Sequence, residues 1–355
     1  MEYVLLGNIS TITNGKRNAQ DATDNGLYPL FDRSSAPKRS DKFLFDKEAI
    51  IVAGEGKTFL PKYYKGKFDL HQRCYAIFDF AENINAKFIY YFIQWNQEYF
   101  QGVYTGSTVP SLRLGNFTNM PIKLLSIEEQ NIAVNTLDNI NNAISLAKER
   151  LLALDELVKS RFIEMFGEVD TNIKGFPMKR MDECCKFVGG AQPDKKYFEY
   201  ESSENNIRLI QIRDYKTDKF ITYIPKNLAR RTCSKNDIMI GRYGPPIFQI
   251  LGGIEGAYNV ALMKAIPSEE FNTEYFRCFL KDDVLLQYIE SFSKRTAGQD
   301  GVQIDKLNAY PCFVPPMELQ NRFVDFVKLI DKSKFVCQFI QGTFYAKFAR
   351  FRRPP

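Results

Sequence analysis

The sequence holds one histidine and one tryptophan in 355 residues, and its seven cysteines are scattered, with Cys184 and Cys185 adjacent and no C-x-x-C pair. A zinc site needs grouped ligands, which one histidine and dispersed thiols do not supply, so reduced and mostly buried cysteines are expected. No window approaches the ~20 apolar residues of a membrane helix. The start MEYVLLGNIS shows neither a basic n-region nor an apolar h-region, so no secretion signal and a cytoplasmic location are expected. Catalytic signatures are also missing. Gly54-Glu-Gly-Lys-Thr58 resembles the end of a phosphate loop, but the first glycine would fall on residue 51, an isoleucine. No Asn-Pro-Pro-aromatic run for amino-group methylation exists, since Gly244-Pro-Pro-Ile247 has neither the amide nor the aromatic. No G-x-G-x-x-G lies in a strand-to-helix setting.

What is present is an internal duplication. Leu6-Gly-Asn-Ile-Ser-Thr-Ile-Thr-Asn-Gly15 aligns with Met181-Asp-Glu-Cys-Cys-Lys-Phe-Val-Gly-Gly190 at an offset of 175. Ile50, Ile51, Val52 and Gly56 align with Ile238, Met239, Ile240 and Gly244 at 188, which sets His71 opposite Asn259. Leu112, Leu114 and Phe117 align with Val302, Ile304 and Leu307 at 190, followed by Pro121 with Pro311, Glu128 with Glu318 and Gln130 with Gln320. Three blocks in the same order with a slowly growing offset indicate two copies of one unit. Each unit is too long for a solenoid repeat, so the chain is a tandem domain duplication. Its length also exceeds what one hydrophobic core supports.

Each copy has two parts. The first carries short strand-like runs, among them Ala49–Ala53, Arg208–Ile212 and Asp237–Gly241, punctuated by Gly, Pro, Asn and Asp and interrupted by helical patches such as 86–97. This mixture predicts an α+β domain. The second part opens on Ser126 and Glu129, a capping box, and then repeats apolar residues at alternating spacings of four and three. The seam runs Ala133, Leu137, Ile140, Ile144, Ala147, Leu151, Leu154, Val158 and stops at Gly167. A helix of this length spans about 60 Å. In the second copy the seam falls on Phe323, Val327, Ile330, Lys334, Cys337, Gln341, Phe344 and Phe348, with Gly342 costing about 1 kcal/mol against Ala. A long amphipathic helix needs a partner, and the simplest is its duplicate. Antiparallel pairing would set two globular domains at opposite ends of a coiled-coil rod about a pseudo-twofold axis. The alternative is that each helix packs only on its own domain. The expected segments are 1–125, 126–166, 167–315 and 316–355.

The segment Leu154-Asp-Glu-Leu-Val-Lys-Ser-Arg-Phe-Ile-Glu-Met-Phe-Gly167, preceded by Ile127-Glu-Glu-Gln130, resembles the central conserved region of type I restriction-modification specificity subunits. The order domain, helix, domain, helix matches that family over the whole chain, and Arg242-Tyr-Gly244 with Glu255-Gly-Ala-Tyr-Asn-Val260 looks like one of its target recognition domains. The terminus Phe348–Pro355 departs from the family's usual ending of the second helix. The resemblance implies a non-catalytic reader of double-stranded DNA. Each α+β domain would read one half-site of an asymmetric bipartite target, and the helices would set the spacer. They would also dock two modification (methyltransferase) subunits, with ATP-dependent restriction subunits completing the complex. S-adenosylmethionine, ATP and Mg²⁺ are expected on those partners and no cofactor on this chain.

Base readout requires paired donors and acceptors, chiefly Arg and Lys on guanine and Asn and Gln on adenine, whereas phosphate contacts need only charge. The net charge of +6 is compatible with either. Candidates in the first copy are Lys16, Arg17, Lys57, His71, Gln72, Arg73 and Arg113. In the second they are Lys195, Lys196, Arg213, Arg242, Tyr243, Asn259, Lys294 and Arg295, with Arg242 and Asn259 favoured because both lie in the family-like stretch. For any one of them an ordinary surface role is the competing reading, and for His71, packing or hydrogen bonding rather than proton transfer. Two other functions fit parts of the sequence. Asp194, Asp214 and Lys216 imitate the metal-binding set of a Mg²⁺-dependent nuclease, though the first copy has no equivalent. A coiled-coil scaffold without a readout surface is the third.

Overall fold

The computed structural model describes residues 3–293 and 301–351; side chains at 341 and 344–351 are not described. Its contacts divide the chain into two compact units, residues 1–148 with 338–355, and residues 149–337. Each long helix therefore contributes to both units.

In the first unit a six-stranded sheet runs in the order Thr11–Asn14, Cys74–Phe78, Phe45–Ala53, Pro61–Leu70, Tyr28–Phe31, Lys38–Ser40. Ile50 pairs with Ile77 in its antiparallel centre, while Phe31 runs parallel to Leu70. Both faces of the central strand are buried, because Ile50 and Val52 pack under helix Ala86–Trp95 and Ala49 and Ile51 join Phe31, Phe68 and Phe78 on the other side. Tyr3–Leu5 and Pro121–Lys123 form a separate antiparallel pair that brings the start of the chain to the root of the first long helix.

The second unit repeats these pairings with new residues. Ile238 pairs with Ala265, Ile210 runs parallel to Tyr258, and Arg180 pairs with Pro311 as Leu5 does with Pro121. Its strands fall into two four-stranded sheets, Cys185–Gly189, Leu262–Pro267, Ile238–Gly241, Gln249–Leu251 and Tyr223–Pro225, Asn206–Ile210, Gly256–Tyr258, Thr232–Cys233. The duplication read from the sequence is thus a duplication of strand partners.

The first long helix spans Ile127–Phe166. Ser126 and Glu129 close the expected capping box, with the Glu129 N–H donating to Ser126 Oγ at 3.2 Å and the Ser126 N–H to the Glu129 carboxylate at 2.9 Å. Gly167 ends it at φ +77°, where its N–H reaches Ile163 O, a conformation that favours glycine. The second long helix runs Met317–Phe351 and continues through Gly342.

One buried glutamine roots each helix. Gln130 accepts the Asn85 N–H and donates to the carbonyls of Asn83 and Leu125; Gln320 accepts the Asn272 N–H and donates to Glu270 and Pro315. Asn85 and Asn272 then reach the next helical residue, Asn131 and Asn321. Both glutamines are fully buried, so each spends its amide on main-chain groups that would otherwise be stranded.

Within the second unit the helices pair. Phe162 packs edge-on to Phe323, Arg161 lies over the Phe326 ring, and Lys334 bonds Asp155 at 2.6 Å. Positions rise along one helix as they fall along the other, so the pairing is antiparallel. Leu137, Ile140 and Ile144 are buried, as are Phe323, Val327 and Ile330, whereas Leu151, Leu154 and Val158 are half-buried. All seven cysteines are unpaired, and six are buried. Burial pushes the thiols of Cys74 and Cys185 up to about 12, which keeps them protonated and unreactive.

Candidate nucleic-acid interface

Five loop segments of the first unit meet at one end of its sheet. The N–H groups of Lys16 and Arg17 both donate to Leu70 O, Gln72 N–H to Arg17 O, and His71 N–H to Phe31 O. Gly54 N–H then donates to Arg73 O, and Leu112 N–H to Gly54 O, each at 2.7 Å. The second unit closes the same circuit: Ala191 to Tyr258 O, Asn259 to Ile210 O, Arg242 to Ala261 O and Val302 to Arg242 O, at 2.9–3.1 Å. Close approach explains the paired glycines. A Cβ on Gly15 would lie 2.0 Å from Leu70 O, and one on Gly190 2.0 Å from Asn259 O.

His71 and Asn259 occupy the same place in this frame and do the same work. Each is 8% exposed. His71 Nδ1 accepts the Arg73 N–H at 3.0 Å, and Asn259 Oδ1 accepts the Ala261 N–H at 3.2 Å. Both side chains therefore hold a turn. Burial, with Arg33 acting in the same direction, pushes the His71 imidazole below its ordinary 6.5. The neutral ring is the folded form, so its contribution to stability is complete above pH 6.5 and is lost as pH falls through the lower folded value. His71 is the sole histidine, and comparison with a variant at this position separates its pH dependence from that of carboxyls raised by burial, such as Asp214. The chain should lose urea resistance from about pH 6.5 to 5, and His71→Asn should remove the imidazole's part of that dependence while keeping the turn.

The other candidates are distributed around the frame. Arg17 is held by fully buried Asp69 at 2.7 Å, and Gln72 Nε2 donates to Asn18 at 2.6 Å. Lys16, Lys57 and Arg113 are exposed on adjoining segments. Arg73 is bound to Glu55 at 2.6 Å, and the same carboxylate binds Arg33 at 2.9 Å. In the second unit Arg242 stands where the first has Gly54; its guanidinium lies over the Tyr243 ring at 5.2 Å, and its Nε is buried with no hydrogen-bond partner. Arg213 follows the frame residue Ile210 and covers Phe220 at 5.5 Å. Lys195 and Lys196 are exposed in the turn Lys195–Tyr197, with Lys196 facing Asp194 at 3.7 Å. Lys294 and Arg295 lie outside the described residues. Arg33 and Glu55 were not singled out from sequence, since Glu55 appears there only inside the incomplete phosphate loop.

Residues 1–156 match the type I restriction modification DNA specificity domain. The match ties this part of the chain to the type I restriction-modification specificity subunits. The same 156 residues are 31% identical to the Escherichia coli type I restriction enzyme EcoDI specificity subunit, covering 44% of this chain and 34% of that relative, so the match spans about a third of the relative's length. The fold extends over the whole chain. The type I restriction-modification S subunit from M. genitalium superposes with a TM-score of 0.66 at 15% identity, covering 99% of this chain and 94% of that one. A chain from a structure titled for complex assembly and conformational transition of the type I R-M system gives 0.55 at 15% identity, covering 99% and 95%.

In this specificity-subunit fold the nuclease-like set does not come together as a site. Asp194 is exposed beside Lys196, and Lys216 is exposed. Asp214 is buried, accepts the Gln211 N–H at 3.2 Å and lies 3.6 Å from Arg208; burial pushes its carboxyl up against those interactions. Among the described residues no group of three or more His, Cys, Asp or Glu is placed to hold a metal ion, and no helix is long and apolar enough to cross a membrane.

Proposed function

We propose that the chain is the non-catalytic, sequence-specific DNA-binding subunit of a type I restriction-modification complex, each unit reading one half of an asymmetric bipartite target. The observation that carries this reading is the pair of loop frames with equivalent hydrogen bonds and different side chains. Gln72, Arg73 and Gly54 of one frame stand where the other has Val260, Ala261 and Arg242. A shared frame with exchanged donors suits two readers of different base sequences. Arg242 is the leading base contact, because its guanidinium is propped on the Tyr243 ring. Lys16, Lys57, Arg113, Lys195 and Lys196 supply exposed charge suited to phosphates. Asn259 and His71 act through the turns they hold. The antiparallel helices serve as the spacer and as the docking face for two modification subunits, which bring S-adenosylmethionine; restriction subunits bring ATP and Mg²⁺.

Genomic methylation by the chain co-expressed with its modification subunit tests this. The expected result is a bipartite, asymmetric motif that requires this chain. Arg242→Ala should relax one base position in one half-site, by about fivefold or more in discrimination. Absence of a motif, with Mg²⁺-dependent cleavage by the chain alone that Asp214→Ala abolishes, would replace the reader with a nuclease.

A further inference from the structure

The first unit places two arginines on one carboxylate. Arg33, in the bend after strand Tyr28–Phe31, and Arg73, in the turn held by His71, each direct Nη1 to a different oxygen of Glu55. The guanidinium side chains are 54% and 58% exposed, while that of Glu55 is 16% exposed. Glu55 is itself fixed: its backbone bridges Ser111, and its neighbours Gly54 and Gly56 bond Arg73, Leu112 and Pro110. Among the described residues no hydrogen bond engages Nε or Nη2 of either arginine, so each half-exposed guanidinium keeps a two-donor edge available. Such an edge matches the O6 and N7 acceptors of guanine.

We propose that Glu55 is a positioning residue that presents Arg33 and Arg73 as a paired guanine-reading fork in the first unit; the inference rests on the DNA-reading role proposed above. An unrestrained arginine seeks any phosphate, because its charge is attracted without regard to sequence. A carboxylate behind it cancels part of that attraction and fixes the plane of the guanidinium. Glu55 therefore gives up nonspecific affinity and gains discrimination. The second unit has Tyr243 at the matching position and uses its ring beneath Arg242, a different prop for the same purpose.

The test is selection of random-sequence DNA duplexes by the full chain and by Glu55→Gln and Arg73→Lys, with binding measured against salt and thermal melting alongside. In the intact chain, one half-site should contain guanine positions that Glu55→Gln degrades by about tenfold while the other half-site is retained. The same variant should bind a duplex lacking the motif more tightly at low salt, with a salt slope steeper by about one. Arg73→Lys should lose discrimination at one of those positions without steepening the slope. Glu55→Gln selecting an unchanged motif overturns the proposal and leaves the reader function intact. Parallel loss of specific and nonspecific binding with lowered melting also overturns it, because that marks Glu55 as a purely structural residue. An intact chain that selects no motif overturns the reader function itself.

Discussion

Phe166→Ala is expected to destabilise the unit of residues 149–337 by about 3–5 kcal/mol. Phe166 is fully buried at the last turn of the first long helix, with Tyr275 at 4.8 Å and Phe323 at 5.5 Å between ring centroids, both edge-on, and Phe313 stacked at 6.5 Å. These partners come from a short helix, a strand and the second long helix. Truncation removes one ring from a close-packed set that has no slack to refill the space, so transfer and cavity costs add. Urea unfolding should show a lower midpoint for this unit. Phe335→Ala, at a position 67% exposed, should stay within about 0.5 kcal/mol.

Gln320→Leu should cost about 3 kcal/mol or more despite the similar volume. The change takes away the partner of the Asn272 N–H and of the carbonyls of Glu270 and Pro315 where the Gln320 side chain is fully buried. Each unsatisfied group costs on the order of 1–3 kcal/mol. Circular dichroism during urea titration would report the loss. A shift under 1 kcal/mol would mean that the helix root rearranges to recover its bonds. Gln130→Leu should do the same in the other unit.

The long helices were the most legible part of the sequence, because a seam at spacings of four and three is a local signal that packing only has to complete. Ser126, Glu129 and Gly167 act at the helix ends as their chemistry requires. The duplication was legible too, and its offsets carried more than expected. Setting Gln130 against Gln320, and His71 against Asn259, paired residues whose hydrogen bonds prove equivalent. What those residues do was not legible, since an amide buried against main chain and one exposed to solvent read alike. Sheet order was hidden for the same reason, as Phe31 meets Leu70 through contacts remote in sequence. Arg33 and Glu55 become neighbours only when two loops fold together, and no local pattern marks such a pair.

The main-chain closure of the loop tips has an evolutionary consequence. Since backbone N–H and C=O groups hold the frame, many of the side chains projecting from it are unconstrained by folding, and exchanging them should cost within about 0.5 kcal/mol where they are exposed. A lineage carrying such a module can wander through alternative outward residues without passing through unfolded ancestors. The glycines that admit the close strand approach, together with the glutamines beneath each helix, form the small part that such drift must leave alone.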